Sequence, residues 1–208
     1  MRLPLVGELH WAVLRLGRVG AGRAGGVIGV WAAWERLMLW LHPLQPVLPG
    51  GLFLFRVQTH RGRHVILADG TAVRRGDMVL ELHLGSARLL RLRESPGFGA
   101  WRAVGLMRAD LAALGDRLAA GDMGPVAALH GTSLIGGAGG RLGFEVRELP
   151  RNWRAGFVQY FLAGIDAIYH PTGLGRLRAG RVRERRPVEV WMSARGAAAM
   201  ARTLQQTP

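Results

Sequence analysis

No cysteine occurs among the 208 residues of this chain, and that absence most narrows what it can fold into. Disulfide staples, thiolate nucleophiles and thiolate zinc sites are all removed, so any fold must rest on buried apolar surface. Hydrophobic side chains make up 49% of the sequence, and a chain of this length can bury one sizeable core. The expectation is a single folded domain in a reducing compartment, the cytoplasm.

No segment reaches the roughly 18–20 apolar residues that a spanning helix needs. The best stretch, residues 25–41, is broken by Glu35 and Arg36. A secretory leader is not expected either, because Arg15, Arg18 and Arg23 fall inside its would-be apolar region. The net charge of +14 is carried by arginine alone, with no lysine anywhere. Such a balance attracts polyanions through an interaction that salt screens, whether the partner is nucleic acid, anionic lipid or an acidic glycan.

Periodicity predicts an α+β domain with an N-terminal helix, an antiparallel β meander, and then helices and strands packed in one core. Residues 1–26 read as a loose Gly/Arg-rich extension, and residues 27–203 as the domain. Apolar residues at three- and four-residue steps predict an amphipathic helix over 27–41, ended by Pro43, Pro46 and Pro49. Strands are predicted at 52–57, 64–67 and 78–84, with Asp69-Gly70 and Gly76-Asp77 as turns. A helix follows at 101–120, with Val104, Met107, Leu111, Leu114 and Leu118 inward and Arg102, Arg108, Asp110, Asp116 and Arg117 toward water. Strands at 126–134, 144–149 and 188–192, a helix at 153–169 and an Ala-rich helix at 194–203 complete the pattern.

Most motif-like phrases lose their meaning in context. Gly20-Ala21-Gly22-Arg23-Ala24-Gly25 has dinucleotide-loop spacing, yet no buried strand precedes it. Gly131-Thr132-Ser133-Leu134-Ile135 departs from a nucleophile elbow at its fifth position. No cofactor is indicated. His130, on an apolar strand, reads as a satisfied core residue.

Ligand-like chemistry gathers around His60, His64, Glu81 and His83. Glu81 and His83 stand two apart on a predicted strand and so share a face, with His60 or His64 available from a neighbouring strand. The simpler reading is a polar sheet face. The sharper one is an acid–base or metal site, with Asp77, Glu81, His83 and His60 as candidate catalytic residues. Arg176, Arg178, Arg181, Arg183, Arg185 and Arg186 form the densest charge run, a candidate anion-binding segment suited to bidentate contacts. Trp31, Trp34 and Trp40 beside that basic surface raise peripheral membrane contact as an alternative to core packing.

Several phrases together resemble the YkoP-like domain, a small bacterial family found alone or attached to polysaccharide deacetylases. They are Trp34-Glu35-Arg36-Leu37, the stretch from Asp69-Gly70 through Arg75-Gly76-Asp77 to Glu81-Leu82-His83, Leu142 to Val146, Tyr169-His170-Pro171, and Glu189-Val190-Trp191-Met192-Ser193. The resemblance covers about residues 27–195. It implies a stand-alone α+β domain with a link to cell-envelope glycans, and it carries no catalytic residue. The functional expectation is a non-catalytic accessory or binding domain for an anionic or glycan partner. An enzyme of unrecognised type with a His/Glu/Asp site, and a basic protein binding nucleic acid or a membrane surface, stand as alternatives.

Overall fold

A computed structural model of the chain describes residues 43–85, 88–89, 92, 99–133, 136–149, 156 and 187–206. In chain order these form β1 (Gln45–Pro46), β2 (Phe53–Thr59), β3 (Val65–Ile66), β4 (Ala72–Val73), β5 (Met78–Leu84), α1 (Ala100–Ala119), β6 (Val126–Ser133), α2 (Gly136–Arg141), β7 (Glu145–Glu148), β8 (Val188–Ser193) and α3 (Ala194–Gln206). The predicted extension at 1–26, the helix at 27–41, all but Gly156 of the helix at 153–169, and the arginine run at 176–186 lie outside the described residues.

Six strands make one sheet in the order β1-β2-β5-β6-β8-β7, and β3 and β4 make a small second sheet. The expected meander is a β2/β5 antiparallel hairpin whose connection carries the β3–β4 arm. β5 and β6 run parallel, the one parallel pair among the described strands, and α1 supplies the crossover such a pair requires. No helix among the described residues is long and apolar enough to cross a membrane.

Alternation along the strands sorts the side chains. Phe53, Phe55, Leu80, Leu82, Leu129 and Met192 project to one face and pack against Leu111, Leu114 and Ala197 of α1 and α3. α3 is built to fit that cover. Its buried Ala197 and Ala201 lie one turn apart, and a Cβ at Gly115 of α1 would fall 2.3 Å from the Ala197 carbonyl oxygen. The glycine permits the two helices to meet backbone to backbone.

On the second face Val79, Ala128 and Trp191 receive Leu67 and Val73 of the β3–β4 arm. The arm is pinned at its turn. Asp69 accepts a hydrogen bond from the Ser193 hydroxyl, and the Arg195 guanidinium donates to the Asp69 carbonyl at 2.8 Å. Ser193 also caps α3, its Oγ accepting from the Gly196 N–H at 2.8 Å. Burial would raise the Asp69 pKa, but hydrogen bonds from Ser193 and Thr71 and the charge of Arg195 outweigh it and hold the carboxyl down to about 2.

Asp110 overturns its expected place on the wet side of α1. It is fully buried, and its Oδ2 accepts the backbone N–H groups of Leu52 and Phe53 at 2.6 and 2.8 Å. The reason is tertiary. Two buried amides where the chain enters β2 need an acceptor, and the helix brings one. Gly51 makes room, since a Cβ there would fall 1.8 Å from Asp110 Oδ1. Burial raises the Asp110 pKa against the pull of these amides and of Arg88.

Asp110→Ala is expected to cost roughly 2–4 kcal/mol by chemical denaturation, because two buried donors lose their acceptor. Asp110→Asn, which keeps a carbonyl oxygen for those amides, should cost clearly less. Gly51→Ala should be at least about 2 kcal/mol destabilising, its methyl group having no space to enter.

Candidate functional site

The same alternation that buries the apolar parity presents the opposite one as a row across the second face. Arg56 of β2 stands opposite Glu81 of β5, Glu81 beside His130 of β6, His130 opposite Trp191 of β8, and Trp191 opposite Glu145 of β7. One step along, Leu54 faces His83, while Thr132 and Arg147 flank Glu189 on either side. The arm covers the Val79, Ala128 and Trp191 end of this face. The charged end lies beyond it.

Two carboxylate–imidazole pairs result. His83 Nε2 lies 3.4 Å from Glu81 Oε2, and His130 Nε2 lies 4.0 Å from Glu189 Oε1. Neither imidazole nitrogen is aligned in a hydrogen bond among the described residues, although both are shielded from solvent. The carboxylates have other partners. The Arg56 guanidinium donates to Glu81 Oε2, and the Trp191 indole N–H donates to Glu189 Oε2 at 3.2 Å. The His130 ring lies against the buried Trp191 ring, centroids 4.1 Å apart.

Electrostatics sets Glu81 and His130 apart. Burial would raise the Glu81 pKa, but the close approach of His83 and the charge of Arg56 prevail and bring it down to about 2. Burial depresses the pKa of His130 by more than Glu189 and Glu81 raise it, with His60 and His83 adding to the depression. At pH 7 a neutral His130 imidazole therefore sits beside the ionised Glu81 carboxylate. Among the described residues no trio of His, Asp or Glu side chains is arranged to hold a metal ion.

Of the residues picked out by sequence, the structure brings Glu81 and His83 together on one face. Asp77 belongs to a turn, where its carboxylate accepts the Arg74 N–H at 2.6 Å and its carbonyl accepts the His60 N–H. Four strand positions, about 13 Å, separate it from Glu81. His60 is buried, donates from Nε2 to the Arg63 carbonyl at 2.9 Å and sets its ring edge on Trp191. No hydrogen bond or ion pair among the described residues joins Asp77 or His60 to Glu81 or His83. His64 is exposed. Arg176, Arg178, Arg181, Arg183, Arg185 and Arg186 lie outside the described residues.

Arg56, His130 and Glu189 had no local signal, since strand pairing alone brings Arg56 and His130 beside Glu81 and Glu189 near His130. The reading of His130 as a satisfied core residue is corrected by its unpartnered Nε2.

The site lies within a recognisable domain: the YkoP domain matches residues 24–199, most of the chain. The chain belongs to the YkoP domain family. A stretch of 44 residues is 36% identical to the protein named "Uncharacterized protein YkoP" of Bacillus subtilis (strain 168), covering 21% of this chain and 24% of that protein. The aligned stretch thus spans about a quarter of that relative. No solved structure matches the chain. Within the YkoP domain, two phrases that carried the resemblance, Glu81-Leu82-His83 and Glu189 to Ser193, are the strands β5 and β8 that build the polar row.

By NMR titration His130 should be half-protonated below the ordinary 6.5, and Glu189→Gln should move that midpoint lower by removing a charge that favours imidazolium. The sign for stability follows from the depressed value. The unfolded chain takes up this proton near pH 6.5 and the folded one resists it, so stability should fall as pH drops from 7 through the folded midpoint.

Proposed function

We propose that this YkoP domain is a non-catalytic accessory or binding domain for a glycan or anionic partner, and that the partner meets the polar face of the sheet at His83 and His130. One observation carries the reading: two shielded imidazole nitrogens on neighbouring strands, each near a carboxylate, have no aligned hydrogen-bond partner among the described residues. A buried polar atom left unpaired costs free energy that a bound water or ligand atom recovers. Partial exposure supports access, with the His83 side chain 42% and Glu189 28% accessible.

Binding is favoured over catalysis by what surrounds the imidazoles. Asp77 is committed to its turn and the His60 Nε2–H to a carbonyl, so the acid–base set expected from sequence does not meet at one point. A cell-envelope polysaccharide is the partner class suggested by the family resemblance.

The test is an NMR titration of the labelled full chain with two probes, a heparin-derived oligosaccharide and an uncharged cello-oligosaccharide. The side-chain resonances of His83 and His130 are expected to move with at least one of them. His83→Ala should weaken that binding by about five- to tenfold, the worth of one hydrogen bond. If both probes leave this face unperturbed, the proposal is wrong.

A further inference from the structure

The charge state of the polar face narrows the ligand further, and this step rests on the reading above. A basic chain invites the idea of an anion. The two guanidinium groups that the described strands bring to this face, however, are already engaged. Arg56 is bound to Glu81 through both Nε and Nη2. Arg147 stands beside Glu189 in the strand register, yet it gives its Nε to Glu145 at 2.8 Å and its Nη2 to Glu145 and the Ile66 carbonyl. Each of these two positive charges is therefore already matched by a carboxylate, Glu81 for Arg56 and Glu145 for Arg147, which lowers its attraction for a sulfate, phosphate or carboxylate group.

What remains open is of the other kind. Among the described residues Glu189 is matched by a single neutral donor, the Trp191 indole N–H, with the neutral His130 imidazole 4.0 Å away. The carboxylate keeps acceptor capacity, since an ionised carboxyl offers about four lone-pair sites. Beside it are the imidazole nitrogens of His83 and His130, near carboxylates but without an aligned hydrogen bond among the described residues, and the half-buried Thr132, which pairs with Glu189 across the strands. Among the described residues an anion brought here would meet carboxylates with no uncompensated cation beside them, at a repulsive cost that partial burial increases. Hydroxyl groups would meet acceptors that lack donors.

We infer that the ligand of this face is an uncharged, hydroxyl-rich saccharide, held by hydroxyl hydrogens given to Glu189 and by hydrogen bonds to the imidazole nitrogens of His83 and His130. Trp191 is only 2% exposed, so the sugar is gripped by its hydroxyls and not stacked on an aromatic platform. Anions are drawn to other parts of the molecule. Arg117, for example, makes no ion pair among the described residues and lies 5.2 Å over the Phe55 ring, on the helix-covered side of the sheet.

Residue-resolved NMR separates this inference from the one beneath it. With an uncharged cello-oligosaccharide, the resonances of His83, His130, Thr132 and Glu189 should shift together, and the midpoint should stay within about twofold as salt is raised from roughly 50 to 500 mM. A heparin fragment or inorganic phosphate should leave these four unmoved and give shifts elsewhere, Arg117 included, that salt abolishes. Glu189→Gln, checked for an unchanged fold by circular dichroism, should weaken the uncharged probe by at least about fivefold. Stronger shifts at His83 and His130 with heparin than with the uncharged probe would overturn the inference and leave the face as an anion site. Silence at the face with every probe would overturn both readings.

Discussion

Strand side chains alternate, and in this sheet the alternation is propagated across strands by pairing from β2 through β5, β6 and β8 to β7, with one register shift, between Met78 and Val79 where β5 meets β6. A one-residue slip in any pair would exchange its two faces. The apolar parity, Phe53, Phe55, Leu80, Leu82, Leu129 and Met192, is clamped beneath α1 and α3, and that burial holds the register. The polar row is its consequence. Arg56, Glu81, His130 and Trp191 line up because the residues beside them in sequence face the other way into the core.

Two carboxylates hold the periphery of this arrangement, and they do so in opposite electrostatic states. Asp110 is buried under α1 with its pKa raised, and it serves as acceptor for the amides that lead into β2. Asp69, more accessible and surrounded by Ser193, Thr71 and Arg195, has its pKa held low and ties the β3–β4 arm to the start of α3. The first positions the edge of the apolar layer. The second keeps Leu67 and Val73 over Trp191, which stops the arm from covering the row that carries Glu81, His83 and Glu189.

A strongly basic chain thus presents a face on which the described arginines, Arg56 and Arg147, are each matched by a carboxylate. Net charge describes long-range attraction, whereas short-range recognition depends on which groups retain unused hydrogen-bonding capacity. On the polar face those groups are imidazole nitrogens and a carboxylate. The function argued here follows that local inventory in preference to the overall sign.

Much of the local structure was legible in the sequence, because periodicity is a local property. The strand at Met78–Leu84 has the predicted bounds, and Glu81 and His83 were assigned to one face from their spacing alone. The helix at Ala100–Ala119 and the α+β class were equally visible. The pairing of strands was not, since an excursion between β2 and β5 and a helical crossover between β5 and β6 leave no mark on hydrophobic alternation. Hence Arg56, His130 and Glu189 were delivered to the site only by tertiary structure. Asp110 shows the same limit from the other side: a charged residue on a helix is assigned to water until the fold places two unpaired amides against it. Sequence by itself determined which of the described segments would be helix or strand, and that Glu81 and His83 share a face, because those depend on neighbours one to four residues away. Only the folded chain decided which faces met, since that rests on contacts between residues far apart in sequence.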